Sequence, residues 1–290
     1  MTFTTRFAPS PTGPLHLGHA YSAMLAHDMA LEAGGTFLLR IEDIDQSRAR
    51  PEWEGQIFDD LRWLGIWWPE PVLRQSTRLA AYRNALAHLW REDLLFACTC
   101  NRRDIAAAVS APQEGTRHFG PDGLIYPGTC RGNGTRGGLV EMPDDTALRL
   151  DMHKAMSLLA HRNDLPLRYV ETGPEGAGEH LIDADEMIET VGDVVLARRD
   201  MGTSYHLAVV IDDAAQQITH VVRGADLAEA TKIHVVLQRL LGLPTPRYHH
   251  HRLIRDDAGK RLAKRDDARA IARYRDDGLS PEDIRRMVGL

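Results

Sequence analysis

The first forty residues constrain the fold more than any other part of the chain. Residues 3–8 (FTTRFA) read as a short strand, and Pro9 to Pro14 form a turn-rich loop. A helical pattern then runs from Leu17 to Ala33 and stops at Gly34-Gly35, where glycine suits the left-handed residue that closes a helix. The next run, TFLLRI at 36–41, is apolar and leads into an acidic loop, as a strand buried on both faces would. Strand, helix and strand in that order predict a parallel sheet with a crossover helix. The fold class expected is therefore α/β.

Helical periodicity returns over 52–64 and 77–93. After Phe96 the chain becomes rich in glycine and carries all three cysteines, which reads as an insertion with its own small fold. Regular patterning resumes over 185–196. Residues 205–211 (YHLAVVI) read as a strand followed by Asp212-Asp213, residues 218–222 (ITHVV) as another, and 225–241 as a helix ending at Gly242. The last part of the chain is charged and weakly patterned, although Ser280-Pro281-Glu282-Asp283 is a good helix start, with a cap, a proline and two acids. These shifts divide the chain into a first half-domain at 1–96, an inserted subdomain at 97–185, a second half-domain at 186–245, and a loop and tail at 246–290.

The composition suits a soluble globular protein, with 43% hydrophobic and 26% charged residues. A formal charge of −6 excludes binding of nucleic acid by a general basic coat, though not by a local patch. No apolar run approaches the roughly 20 residues that span a bilayer. The N-terminus lacks a signal-peptide layout, so no membrane partner and a cytoplasmic location are expected.

The loop from Arg6 to His19, RFAPSPTGPLHLGH, joins the first strand to the first helix, where parallel α/β units bind ligands. Helix N-termini favour phosphates. Gly13 and Gly18 would let a nucleotide approach the backbone, and His16 and His19, three apart, share a helical face. Cys98-Thr99-Cys100 and Cys130 form an odd, clustered set that points to metal or free thiols rather than to disulfides. Zinc takes four tetrahedral ligands, so three cysteines leave one place open.

HLGH resembles the HIGH motif of class I aminoacyl-tRNA synthetases. Together with RIEDID at 40–45, YHLAVVIDD and VVRGAD within 205–226, and RLAKR at 261–265, it is similar to the glutamyl enzymes in particular. The resemblance implies a Rossmann catalytic domain of the class I synthetase type, with a parallel sheet and an inserted small, zinc-containing, acceptor-binding-like subdomain. It implies ATP at His16, Gly18, His19, Arg261 and Lys264, with His16, His19 and Lys264 catalytic. RLAKR departs from the usual KMSKS loop: Arg261 replaces a lysine and Ala263 a serine. The resemblance places glutamate on Arg6, Ser10, Glu42, Tyr205 and Arg223, without saying which arginine takes which carboxylate. Arginine forks suit a dicarboxylate.

Only 25 residues follow Arg265, and a separate domain needs at least about 50. A helical tail without an anticodon-binding domain is therefore expected. That architecture, and a C-x-C pair joined to Tyr126-x-x-x-Cys130, resemble the short family of glutamyl-Q tRNA(Asp) synthetases. The metal ligands implied are Cys98, Cys100, Tyr126 and Cys130, with His118 a rival for the fourth place. The activity implied is ATP-dependent, tRNA-independent activation of L-glutamate and its transfer to the queuosine base of tRNA(Asp). One Zn²⁺ per chain, Mg²⁺ with ATP and a monomer are expected. The alternatives are a truncated glutamyl-tRNA synthetase charging tRNA(Glu), and a non-catalytic tRNA-binding paralogue.

Overall fold

The computed structural model describes residues 2–109, 119–121, 123–132, 137, 138, 140–255 and 269–290. In chain order the elements begin with β1 (Thr4–Phe7), α1 (Leu17–Glu32), β2 (Thr36–Ile41), α2 (Pro51–Trp63), β3 (Leu73–Arg74), α3 (Leu79–Arg91) and β4 (Leu95–Cys98). There follow α4 (Arg102–Val109), β5 (Phe119–Gly120), β6 (Gly123–Leu124), β7 (Ala147–Leu150), α5 (Met152–His161), β8 (Leu167–Glu171) and β9 (Gly178–Ile182). The chain continues with α6 (Ala184–Glu186), β10 (Val195–Ala197), α7 (Tyr205–Ala215), β11 (His220–Gly224), α8 (Ala230–Leu240), β12 (Arg247–His251), α9 (Ile271–Asp276) and α10 (Pro281–Val288).

The strand-helix-strand unit read from the first residues forms as expected, with β1 parallel to β2 and Arg6 in register with Leu38. β2 in turn pairs parallel with β3. A second run joins β11 parallel to β12, β12 parallel to β8, and β8 antiparallel to β9. Thr4 C=O accepts from Thr219 N–H at 2.9 Å, and Thr219 Oγ1 accepts from Thr4 N–H at 2.8 Å, which sets β11 beside β1. The chain leaves β1 toward β2 on one side and has β11 on the other. The strand order therefore reverses between β1 and β11, the point where α/β sheets open a crevice at their carboxyl ends.

Helices cover both faces of this sheet. Alternation along β11 puts Val221 into one core with α3, α5, α7 and α8, and Val222 into the other with α1, α2, α9 and α10. A separate antiparallel sheet, β10-β7-β4, packs under the first of these cores.

Three local expectations need correction. Residues 205–211 are not a strand but the first two turns of α7. A short continuous apolar run does not distinguish a buried strand from a buried helix. Here Ser204 caps the run, its Oγ accepting from Leu207 N–H, and Leu207 to Val210 are all buried. The helix read over 225–241 starts later: Ala225–Leu227 is a single 3₁₀ turn, and α8 follows from Ala230. The weakly patterned tail is packed rather than loose. Ile271 and Ile284 are fully buried beside α1, and Ser280 caps α10 as the sequence suggested, with the Asp283 side chain accepting in return from the Ser280 backbone N–H.

Candidate functional site

Four strand ends meet at one opening. Arg6 sits near the end of β1, Glu42 follows β2, Arg223 lies near the end of β11, and His251 ends β12. They line a single cavity of about 390 Å³ together with Ser10, His16, Gly18, His19 and Tyr205. All the described residues expected to hold ATP or glutamate are thereby brought together. Arg261 and Lys264 lie outside the described residues.

The histidine pair is a cap before it is anything else. His16 is the N-cap of α1: its Nδ1 accepts from Gly18 N–H at 3.1 Å, while its own backbone N–H donates to His19 Nδ1 at 3.2 Å. Both Nδ1 atoms are acceptors, so in the neutral rings both Nε2 atoms carry the proton. The rings lie 3.8 Å apart between centroids, tilted by 35°. Gly18 permits this closeness, because a Cβ there would lie 3.0 Å from the His16 ring. A helix N-terminus and two imidazole N–H donors at one mouth suit a phosphate chain.

The arginines are held by buried partners that the sequence reading did not single out. Arg6 Nε and Nη2 donate to the two oxygens of Asp213, at 2.8 and 3.3 Å. Arg40, fully buried, donates from Nη1 to Asp213 at 2.7 Å and from Nη2 to Glu42 at 3.2 Å. Burial alone would raise the Asp213 carboxyl, but Arg6 and Arg40 outweigh it and hold Asp213 below the usual carboxylate range. At Glu42 burial wins: the carboxyl is raised although Arg40 and Arg6 pull it down. Burial likewise raises Tyr205, which feels Arg223 and Glu42 at once. The cavity therefore offers two guanidinium groups, a carboxylate and a phenol, a set that complements an amino acid with an extra carboxylate.

The cysteine cluster forms a second site. The sulfurs of Cys98, Cys100 and Cys130 all lie within 4.8 Å of one another. The Tyr126 hydroxyl is 3.5 Å from the Cys98 and Cys100 sulfurs and accepts from Cys130 N–H at 2.7 Å. Tetrahedral zinc thiolates have sulfurs about 3.8 Å apart, given metal–sulfur bonds of about 2.3 Å. The Cys100–Cys130 separation of 3.5 Å is close to that. Burial opposes ionisation of Cys130, yet hydrogen bonds with the Tyr126 hydroxyl and the Thr99 backbone hold its thiol down at about 6. The three cysteines could thus hold a metal ion, with Tyr126 beside them. His118 lies outside the described residues.

Among the described residues no helix is long and apolar enough to cross a membrane.

Known proteins share both the sequence and the architecture. Residues 2–117 and 177–290 match the family model of the catalytic domain of class I tRNA synthetases (E and Q). The glutamyl-Q tRNA(Asp) synthetase of Rhodobacter capsulatus is 64% identical over 286 residues, which is 99% of either chain. That of Symbiobacterium thermophilum is 40% identical over 96% of this chain and 83% of its own. A glutamate tRNA ligase from Elizabethkingia meningosepticum, solved with its amino acid, superposes with a TM-score of 0.74 at 25% identity. This chain spans 61% of that longer one. With the strand-end cavity, the histidine cap and near end-to-end identity in agreement, the chain belongs to the class I tRNA synthetases of the glutamyl and glutaminyl type, and within them to the glutamyl-Q tRNA(Asp) synthetase family.

Proposed function

We propose that the protein activates L-glutamate with ATP, without tRNA, and transfers it to the queuosine base of tRNA(Asp). The observation that carries this reading is the convergence of Arg6, Glu42, Tyr205 and Arg223 with His16 and His19 on one cavity. The two guanidinium groups hold the carboxylates of glutamate, Glu42 holds its ammonium group, and Ser10 and Tyr205 add neutral hydrogen bonds. The α-carboxylate attacks the α-phosphorus of ATP, the bond to the bridging oxygen breaks, and pyrophosphate leaves. His16 and His19 donate from Nε2 to the phosphates as charge moves onto the leaving group, and Lys264 of the RLAKR loop steadies it. Mg²⁺ bound with ATP supplies further charge neutralisation. A hydroxyl of the cyclopentenediol then attacks the mixed anhydride carbonyl, AMP leaves, and an ester forms.

Zn²⁺ is the metal we assign to Cys98, Cys100 and Cys130, with Tyr126 as fourth ligand. It would brace the cysteine-bearing part of residues 97–185, which we assign to the RNA-facing side, while β8 of that range joins the main sheet. The activation site draws on residues 1–96 and 186–245, with His251 of β12 and Lys264 of the RLAKR loop completing it.

The test is ATP–pyrophosphate exchange with glutamate alone, followed by loading of labelled glutamate onto purified tRNA(Asp) and tRNA(Glu). Exchange without tRNA and loading of tRNA(Asp) only are expected. Loading of tRNA(Glu) would favour a shortened glutamyl-tRNA synthetase, and absence of exchange a non-catalytic paralogue. Lys264→Ala should cut exchange far more than it changes glutamate binding.

A further inference from the structure

Arg223 is gripped from behind by a chain of buried groups that none of the chemistry above uses. Its Nε donates to His250 Nε2 at 3.1 Å and its Nη1 to His234 Nδ1 at 3.1 Å. Its Nη2 donates to Thr231 Oγ1 at 2.7 Å and to Leu227 C=O at 3.1 Å. A guanidinium has five N–H groups. Among the described residues four are committed to the protein, and the fifth, on Nη1, remains for a ligand in the cavity that Arg223 lines.

These contacts dictate where every proton sits. Arginine only donates, so His250 Nε2 and His234 Nδ1 must both accept. The proton of His250 is then on Nδ1, where it meets Glu171 Oε2 at 2.5 Å. The proton of His234 is on Nε2 and goes to His206 Nδ1 at 3.1 Å. Glu171 is itself fixed at the β8–β12 seam: its Oε1 accepts from the backbone N–H groups of His250, Thr172 and Gly173, at 3.0, 3.0 and 2.6 Å. Gly173 is the residue that lets these chains close up, since a Cβ there would come within 2.3 Å of His250 C=O. Glu171, His234 and His250 are each at least nine-tenths buried. Burial and the neighbouring guanidinium both push the His234 and His250 imidazoles toward the neutral form.

We infer that Glu171, His250 and His234 are positioning residues for amino-acid binding, holding Arg223 as a donor-only, permanently charged receptor for a carboxylate of the amino acid. The inference rests on the reading of the cavity as a glutamate site. A guanidinium with few partners would sample several rotamers, and each would lower the share of molecules able to bind. The relay removes that freedom. Because its histidines are neutral and accept from Arg223, they add no competing cation and turn no acceptor toward the ligand.

The test is steady-state exchange kinetics on full-length variants, with KM for glutamate and for ATP measured separately. His250→Phe keeps a ring but removes the acceptor and the link to Glu171. Loss of a hydrogen bond to a charged group corresponds to a change of about tenfold to a hundredfold. We expect the KM for glutamate to rise by about that factor, with the KM for ATP and kcat changed less than about threefold, because only uniform binding is lost. His234→Asn and His234→Leu make the decisive pair. Asparagine Oδ1 can occupy the place of Nδ1 and still accept from Arg223, so it should hold the glutamate KM near wild type while leucine raises it. Equal glutamate KM values for the pair, or parallel rises in both KM values with falling kcat, would reduce the relay to packing and overturn the inference. If His250→Phe does not fold, the His234 pair decides alone. If the wild-type protein gives no exchange with glutamate, the glutamate reading itself has failed, and the relay inference falls with it.

Discussion

Arg6 on β1 and Asp213 on α7 meet as a two-pronged ion pair behind the cavity, Nε to Oδ1 at 2.8 Å and Nη2 to Oδ2 at 3.3 Å. Asp213 is also the partner of Arg40, so one carboxylate sets two guanidinium groups. The remaining N–H groups of Arg6, those on Nη1 above all, are thereby held in place for a ligand.

Asp213→Asn should damage binding and stability together. It leaves buried Arg6 without its counter-ion and Arg40 with Glu42 alone as ion-pair partner, and removing one partner of such a network costs about 3–5 kcal/mol. Urea unfolding should register a loss of that order, and exchange assays a glutamate KM raised at least about tenfold. A variant with wild-type stability and KM would show that Asp213 positions nothing.

Glutamate binding should weaken on the acid side at a higher pH than ordinary carboxylates would cause. Burial raises the Glu42 carboxyl more than Arg40 and Arg6 lower it, so Glu42 gains its proton before exposed acids do. The ammonium group of glutamate needs the ionised form. The KM for glutamate should therefore rise as pH falls through the raised value, while the KM for ATP stays flat. In Glu42→Gln the KM should be high at every pH and lose that slope.

Removal of the metal should loosen the insert and leave the sheet intact. Purified protein should carry about one zinc per chain, and Cys100→Ser should lose it with a lower melting temperature. Tyr126→Phe keeps the ring, over which Arg149 lies at 4.0 Å, but loses the hydroxyl 3.5 Å from two sulfurs. A drop of 10–100-fold or more in zinc affinity, about what loss of an outer-shell partner causes, is the least expected if the phenol ligates. Unchanged affinity would assign the fourth place elsewhere.

Asp60 is a destabilising carboxylate at neutral pH. It is fully buried on α2, and neither side-chain oxygen has a hydrogen-bond partner among the described residues. Burial raises it from 3.8 to about 6, against the opposing pull of Arg275. The folded state thus prefers the protonated form. The cost of ionising Asp60 is fully present above about 6 and disappears as pH falls toward 3.8. Asp60→Asn should stabilise the protein by roughly 1–2 kcal/mol at pH 8, with the gain gone near pH 4. Thermal unfolding at the two pH values reads the difference, and an equal shift at both would contradict it.

The parallel α/β start of the chain, the strand ends that carry Arg6, Glu42 and Arg223, and the cap at Ser280 were legible because each rests on local pattern: apolar period, turn residues, spacing. Motif spacing also singled out the histidine pair and the three cysteines. It did not show that His16 and His19 cap each other, since that depends on backbone geometry at one helix end. The reading failed at 205–211, where four buried apolar residues, Leu207 to Val210, fit strand and helix alike, and the Ser204 cap with packing against α3 and α8 favoured the helix.

That failure concealed Asp213, which looks like a surface acid when it follows a strand and becomes a buried counter-ion when it sits on α7. Glu171, His234 and His250 were hidden in the same way, since nothing at their positions signals one another. Sequence alone determined which residue types stand at the ends of the strands, because alternation and turn chemistry act over a few neighbours. Only the tertiary structure decided which charges are paired from behind and which face the cavity. Pairing of buried groups far apart in the chain depends on how helices land on the sheet, and no local pattern encodes that.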